Sequence, residues 1–228
     1  MNRYAPELAL VAGGLLGVVF GGFVLVSVGE FYSAVVVGAV FGYPFAAYAV
    51  RTDDEPTTVL PPRPVVVIGG LLAGGILVDV VRLSSPTASA LLFGLPFALG
   101  VFLPLAAYGV RYGSPPAWLP PRRVEWGCTV LAAGLLTAGI GVGAGVSGSV
   151  SALLVYVAGG VFAARPLPGR RSQQRPRLVA GLLAAGGLVT AGVATGGPLD
   201  PWVTAALAAA FGPLLVVALT APIAVGTA

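Results

Sequence analysis

Long apolar runs separated by short polar segments dominate the pattern of hydrophobic and polar positions along the chain. A helix needs about 20 mainly apolar residues to cross the hydrocarbon core of a bilayer. Eight segments meet this requirement: residues 7–28, 31–50, 64–81, 86–110, 124–145, 149–164, 178–195 and 201–225. The pattern therefore predicts an all-α fold, a polytopic bundle of about eight transmembrane helices that forms one integral membrane domain over residues 1–228.

The arginines are distributed unevenly between the predicted loops. With eight spans, Arg82 falls on one side of the membrane and all the other arginines fall on the opposite side. These others are Arg3, Arg51, Arg63, Arg111, Arg122, Arg123, Arg165, Arg170, Arg171, Arg175 and Arg177. Because cytoplasmic loops are enriched in Lys and Arg, we expect a cell-membrane protein with both termini in the cytoplasm.

Two sequence motifs recur at nearly the same spacing. AAYAVR at 46–51 returns as AAYGVR at 106–111, and LPPR follows each copy, at 60–63 and 119–122. A fixed period is the signature of repeated structural units, so we predict four helical hairpins related as parallel repeats. They cover residues 1–56, 57–115, 116–172 and 173–228. The alternative is that spans rich in Ala, Gly, Val and Leu resemble one another without duplication.

Glycines recur every four residues in the odd-numbered spans. Helices in lipid associate through close contacts at small residues, because burial from water contributes little there. The glycines predicted to mediate helix packing are Gly13, Gly17 and Gly21 in the first span, Gly70 and Gly74 in the third, and Gly139 and Gly143 in the fifth.

Prolines interrupt the even-numbered spans, at Pro44, Pro96 and Pro213 among other positions. Each proline removes a backbone donor and frees the carbonyl four residues earlier, which is Ala209 for Pro213. In lipid, a freed carbonyl needs a partner or a wet cavity. Two interpretations stay open: the prolines only bend helices around their neighbours, or they surround a pathway for water, a cation or a small solute.

Most carboxylates near the spans are predicted to cap helix N-termini, namely Glu7, Glu30, Glu125 and Asp200. Asp79 differs, because it lies near the end of the third span, where the helix dipole disfavours an anion. Arg82 follows three residues later on the same helix face. Asp79 and Arg82 therefore predict either an interfacial ion pair or a proton or cation relay.

Composition restricts the possible chemistry. Arginine supplies all twelve cations, and Lys and His are absent. Phosphate-binding loops with a lysine, Ser-His-Asp triads and histidine-ligated metals are therefore excluded. The single cysteine, Cys128, cannot form an internal disulfide or a thiolate cluster. We expect no enzyme activity, no cofactor, no metal site and no nucleic-acid partner; the expected partners are membrane lipids, further copies of the chain or other membrane proteins.

Two functions are compatible with this sequence. The first is a non-enzymatic structural or accessory membrane bundle whose glycine-rich faces bind its own helices and partners. The second is a small-solute or ion permease, with a pathway at the proline-broken helices and Asp79 with Arg82 at its outer mouth. The two differ in whether water enters the core of the bundle.

Overall fold

The computed structural model describes residues 4–53, 55–84, 87–113, 120–163 and 174–220. Within these residues the chain forms α1 (Ala5–Val28), α2 (Phe31–Thr52), α3 (Pro56–Val59), α4 (Pro62–Leu83), α5 (Thr87–Tyr112), α6 (Pro121–Val142), α7 (Gly145–Ala163), α8 (Gln174–Thr195) and α9 (Asp200–Thr220). Some predicted features lie outside the described residues: Arg3, most of the arginine-rich loop before α8, residue 164 of the sixth predicted span and residues 221–225 of the last.

Every helix except α3 is long and apolar enough to cross a membrane. Many of their apolar side chains are not covered by protein; Val18 and Val26 of α1, for example, are 75% and 90% exposed. In water such surfaces drive association, whereas in a bilayer they face lipid. The eight helices indicate a multi-pass membrane protein, as the sequence predicts.

The chain divides into two compact units, Met1–Pro115 (unit 1) and Pro116–Ala228 (unit 2). In each unit, long helices that follow one another along the chain pack as hairpins: α1 with α2, α4 with α5, α6 with α7, and α8 with α9. This pairing has the predicted helical-hairpin form. Sequence duplication among the four hairpins stays a prediction, as does the sidedness of the termini.

Glycines in the left-handed conformation follow three of the helices, α1, α6 and α8, where the last is Gly196 with φ 64°. Gly29, with φ 79°, follows α1, and Gly143, with φ 74°, follows α6. This conformation favours glycine, because other residues place a Cβ too close to the backbone. The α6 helix therefore ends at Val142, before the predicted boundary at 145, and α7 begins earlier than predicted, at Gly145. Gly143 thus shapes a turn, and a Cβ there would meet no atom within 4 Å, so the predicted helix contact is absent.

Large side chains fill the space between the two hairpins of unit 1. Ile76 and Val80 of α4 are almost fully buried, together with small residues of α5. Next to this core, the Tyr32 ring of α2 lies 6.2 Å from the Phe93 ring and 5.8 Å from the Phe97 ring, measured between centroids. Aromatic packing of this kind contributes beyond the buried area alone, and it joins α2 to α5.

Unit 2 has a core of smaller side chains. The α7 helix packs on α6 and on α9, and α9 packs on α8. Glycines allow these approaches; a Cβ added to Gly160 of α7 would lie 2.5 Å from Val216 Cγ2 of α9. The α6 and α8 helices stand at the two ends of this series and do not pack along their lengths.

Candidate functional site

Unit 2 contains a cavity of about 730 Å³ between its four helices. The cavity is lined by Arg122, Glu125, Trp126, Thr129, Ala132, Ala133 and Leu136 of α6, Ala152, Leu153 and Tyr156 of α7, Pro176, Arg177, Ala180, Gly181 and Ala184 of α8, and Ala208, Ala209 and Pro213 of α9. Its volume falls in the range of about 300–1,000 Å³ that is usual for small-molecule sites. Many lining residues are alanines, so the helices leave space that larger side chains would occupy.

Charged groups gather at the end of the cavity where α6 and α8 begin. Arg177 of α8 donates a hydrogen bond to the carboxylate of Glu125 of α6 and forms an ion pair with it. The two side chains are 21% and 22% exposed, so solvent screens the pair. Arg122 and Trp126 of α6 line the same end. The ion pair joins two helices that otherwise do not pack on each other.

Glu125 therefore has a different role from the predicted helix cap. The α6 helix begins at Pro121, three residues before the predicted boundary, which places Glu125 beyond the free amides of the first turn. Its partner, Arg177, is 52 residues away in the sequence. Neither residue was predicted as part of a site, because only the fold brings them together.

Pro213 lies in the wall of this cavity, where α9 meets α8. The proline lacks the amide that would otherwise bond to the Ala209 carbonyl. Gly181 of α8 lies directly against this break, since a Cβ added there would stand 2.7 Å from the Ala209 oxygen and 2.7 Å from Pro213 Cγ. A glycine at this position thus lets α8 approach the interrupted part of α9.

Beyond the cavity, the helices of each hairpin of unit 2 make close contacts. A Cβ added to Gly148 of α7 would lie 2.7 Å from the Cα of Gly139 in α6, and one added to Gly192 of α8 would lie 2.7 Å from Cγ of Trp202 in α9. The lining residues of α6 end at Leu136, before these contacts. The lining therefore begins at the charged end and does not reach the opposite ends of the four helices.

Asp79, the candidate relay residue of unit 1, caps a neighbouring helix. Its Oδ2 accepts a hydrogen bond of 2.9 Å from the backbone amide of Tyr32, in the first turn of α2. Glu30, at the N-cap position of α2, makes no side-chain bond to the helix amides and accepts a 2.7 Å bond from the Ser33 hydroxyl. The dipole of α2 thus favours the Asp79 carboxylate, although the dipole of its own helix does not.

The expected ion pair between Asp79 and Arg82 is not formed. Both residues belong to the part of the chain that the structure describes, in which no salt bridge joins them and Arg82 is exposed. The reason is that Asp79 turns to the amide of α2 across the helix contact. The relay interpretation stays a prediction.

Of the two candidate pathway prolines of unit 1, the one at Pro44 of α2 is exposed. Tyr43, beside Pro44 in α2, donates a hydrogen bond to the carbonyl of Val101 in α5, and Val101 is only 2% exposed. Pro96 is partly buried in α5, next to the ring of Phe97. Neither Pro44 nor Pro96 lines the cavity of unit 2, so of the three candidate pathway prolines the structure brings Pro213 to that cavity.

Three of the glycines predicted to pack lie against α2. A Cβ added to Gly17 would stand 2.9 Å from the Gly38 oxygen, and one added to Gly21 would stand 2.8 Å from the Ala34 oxygen. At Gly13 the nearest atom would be Cβ of Phe45, at 2.5 Å. The α1 and α2 backbones therefore approach closely along this face.

The glycines in contact in α4 differ from the predicted pair. A Cβ added to Gly70 or Gly74 would meet nothing within 4 Å, whereas one added to Gly69 would lie 2.9 Å from Leu105 Cδ1. One residue of offset rotates a helix position by about 100°. The sequence pattern therefore finds a glycine-rich helix but does not determine which glycines face a neighbour.

Among the described residues, no group of three or more His, Cys, Asp or Glu side chains is placed to hold a metal ion. No protein-family model matches the chain, and no curated protein and no solved structure matches it significantly. The arguments for function therefore depend on the geometry of this multi-pass membrane protein.

Proposed function

We propose that the protein is a non-enzymatic small-solute permease whose solute site is the cavity of unit 2. The supporting observation is the shape of this cavity, which begins at Arg122, Glu125 and Arg177 and whose lining ends before the opposite ends of the helices. A carrier that alternates its access needs a site reachable from one side of the membrane and closed to the other. Pro213 in the cavity wall also favours a pathway at a proline-broken helix.

The charged end of the cavity faces the cytoplasm in this proposal. Arg122, Arg123, Arg175 and Arg177 all lie near this end, and arginines near span ends mark the cytoplasmic side. The same rule places both termini in the cytoplasm, and the cell membrane remains the location we propose.

The polar groups of the cavity support binding better than catalysis. Glu125 is paired with Arg177, and the Thr129 hydroxyl donates a 2.8 Å bond to the backbone carbonyl of Glu125. A hydrolase or transferase needs a nucleophile beside a base, or a bound metal, and the chain has no histidine or lysine to act as that base. We therefore propose a role without chemical turnover.

A second candidate function, a structural or accessory bundle, is favoured by unit 1. Asp79 and Tyr43 use their polar groups in bonds between helices, which leaves them engaged in holding the unit together. The exposed apolar face of α1 offers a surface for lipid, for other membrane proteins or for another copy of the chain. In this interpretation the cavity of unit 2 never fills with water.

Cysteine accessibility distinguishes the two functions. In a Cys128→Ser background, single cysteines replace Ala133 and Ala184, which line the cavity, and Val130 and Leu183, which are exposed on the same helices but do not line it. Vesicles containing each variant are treated with a membrane-impermeant thiol reagent from either side. We expect labelling at Ala133→Cys and Ala184→Cys from the cytoplasmic side alone, and protection by lipid at Val130→Cys and Leu183→Cys.

Protection of both cavity positions in folded protein would reject a wet solute site and leave the structural function. Labelling at all four positions would show a general loss of packing and would also reject the proposal.

A further inference from the structure

Resting on this proposed function, we propose that the solute is an anionic amphiphile with one apolar tail. Its acidic head binds at Arg122 and Arg177, and its tail lies along the alanine-lined part of the cavity. Three features of unit 2 lead to this class of ligand: the balance of charge at the cavity mouth, the composition of its walls and its depth.

The mouth of the cavity has an excess of positive charge. Arg122 and Arg177 supply two guanidinium groups, and Glu125 supplies one carboxylate, which Arg177 already binds. Within the described residues, Arg122 forms no ion pair. Guanidinium groups bind carboxylates and phosphates through several parallel hydrogen bonds. An acidic head group would therefore complete the charge balance that the protein leaves open.

Beyond this charged end, and past the hydroxyls of Thr129 and Tyr156, the innermost cavity walls are apolar. Ala133 and Leu136 of α6, Leu153 of α7 and Ala184 of α8 line the inner part. A sugar, an amino acid or a nucleotide needs several convergent hydrogen-bonding groups, whereas an alkyl chain needs none. The walls therefore suit a tail and not a second polar group.

Along α6, the cavity wall is about as long as one leaflet of a membrane is thick, whereas along α8 it runs only from Pro176 to Ala184, about 12 Å. Its lining runs along α6 from Arg122 to Leu136, which is about 21 Å at 1.5 Å per residue. Half of a bilayer, with its head-group region, measures about 20–22 Å. A lipid-like molecule could therefore keep its head at the interface while its tail occupies the cavity.

The side between α6 and α8 gives such a molecule a route from the leaflet. These two helices do not pack along their lengths, and the Glu125–Arg177 pair joins them at the charged end. Pairs with this exposure contribute little stability. An acidic head group that takes over Arg177 would separate the pair and admit the tail.

The test uses lysophosphatidylglycerol as the anionic probe and lysophosphatidylcholine with the same acyl chain as the zwitterionic one. Vesicles of diacyl phosphatidylcholine contain the Cys128→Ser, Ala184→Cys protein, and the labelling rate is measured as each probe is added. Glycerol phosphate, which has the acidic head but no tail, tests a soluble source of the same chemistry. We expect lysophosphatidylglycerol to slow labelling at about fivefold lower concentration than lysophosphatidylcholine. One arginine near a membrane surface attracts an anionic head group by about 1 kcal/mol, which corresponds to a factor of about five in affinity.

Arg122→Gln in the same background tests the head-group contact, and Arg123→Gln is its matched control. Arg123 is the adjacent arginine, is exposed and does not line the cavity. With Arg122→Gln, about fivefold more lysophosphatidylglycerol should be needed to slow labelling of Ala184→Cys. With Arg123→Gln, the concentration needed should be unchanged.

The proposed ligand class is wrong if the two lysolipids slow labelling equally. It is also wrong if Arg122→Gln and Arg123→Gln have equal effects. In both cases Ala184→Cys is still labelled, so the wet cavity and the permease function stand. If glycerol phosphate, added without any lysolipid, slows labelling of Ala184→Cys, the ligand does not require a tail. If Ala184→Cys resists labelling without any probe, both proposals fail together. Native mass spectrometry of the same variants in detergent gives an independent measure of bound lysolipid.

Discussion

Unit 1 and unit 2 each pack two helical hairpins, but they fill the space between the hairpins differently. In unit 1, Tyr32 packs against the rings of Phe93 and Phe97, which also contact each other, and Tyr43 reaches across to the backbone of α5. In unit 2, alanines line the space between the helices, and a cavity of about 730 Å³ remains. The comparison teaches that side-chain size at a few inner positions, more than the pairing of helices, decides whether such a bundle is filled or hollow.

The prolines of the two units differ in burial: Pro44 of α2 is exposed, whereas Pro213 of α9 is buried. Beside Pro44, the Tyr43 hydroxyl joins α2 to α5. Beside Pro213, the nearest group on α8 is Gly181, which has no side chain to cover the break, and the proline forms part of a cavity wall. A proline in a transmembrane helix thus has no fixed surroundings: Pro44 is exposed, whereas Pro213 lies against Gly181 of α8 and borders a cavity.

The largest expected difference between the units comes from adding the same aromatic ring to each. Ala98 of α5 is 3% exposed in the core of unit 1, whereas Ala184 of α8 lines the cavity of unit 2. Ala98→Phe should lower the free energy of unfolding by about 3 kcal/mol, because a packed core has no room for the ring. Ala184→Phe should change it by less than about 0.5 kcal/mol.

Reversible unfolding in mixed detergent micelles measures both values. A destabilisation by Ala184→Phe as large as that by Ala98→Phe would mean that unit 2 is as tightly filled as unit 1, and the comparison would fail.

The second prediction concerns the closeness of α1 and α2 in unit 1. Gly17 faces the Gly38 backbone, whereas Gly14, three residues earlier, has nothing within 4 Å of an added Cβ. Gly17→Val should cost about 2 kcal/mol, because the obstructing atoms are backbone and cannot rotate away. Gly14→Val should leave stability nearly unchanged, and equal melting temperatures for the two variants would show that this contact does not hold the hairpin together.

The third prediction separates capping by Asp79 from the relay interpretation. Asp79→Leu removes the acceptor of the Tyr32 amide and should cost about 1 kcal/mol, as the loss of a helix cap does. Asp79→Asn keeps an acceptor and should retain more than half of that stability. A stability equal to wild type in both variants would contradict the capping role. Loss of solute flux in Asp79→Asn, with stability unchanged, would favour a relay.

The sequence predicts the helices of this fold better than their contacts. The eight spans follow from runs of about 20 apolar residues, which a bilayer requires and few soluble folds contain. The sequence predicts the turn after α6 too late in the chain. Gly143 is part of a repeated small-residue pattern that indicates a continuing helix, but it has φ 74° and ends the helix. The missed helix α3 is only four residues long, Pro56–Val59.

The candidate site was only partly predictable, for a physical reason. Pro213 can be recognised in the sequence, because a proline lacks the backbone amide. The pairing of Glu125 with Arg177, however, depends on how α6 and α8 stand relative to each other. The roll of a helix about its axis also decides whether Gly69 or Gly70 meets its neighbour. In helices that are apolar all round, hydrophobic periodicity cannot indicate this roll. Ala180 and Ala184 indicate a helix face with small side chains, but they do not by themselves indicate a cavity.

The smallest expected effect concerns the pair that joins α6 to α8. A double-mutant cycle with Glu125→Gln, Arg177→Gln and the double variant should give a coupling energy of about 0.5 kcal/mol, because both side chains are about one fifth exposed. Salt should reduce this value further, since accessible charges are screened. A coupling of about 3 kcal/mol or more, independent of salt, would be typical of a buried pair. It would mean that α6 and α8 are locked together, and a ligand could not enter unit 2 between them. A weak pair, by contrast, leaves unit 2 able to open between α6 and α8, which do not pack on each other. In unit 1, the corresponding space between the hairpins is filled by Ile76 and Val80, with Tyr32 packed against them.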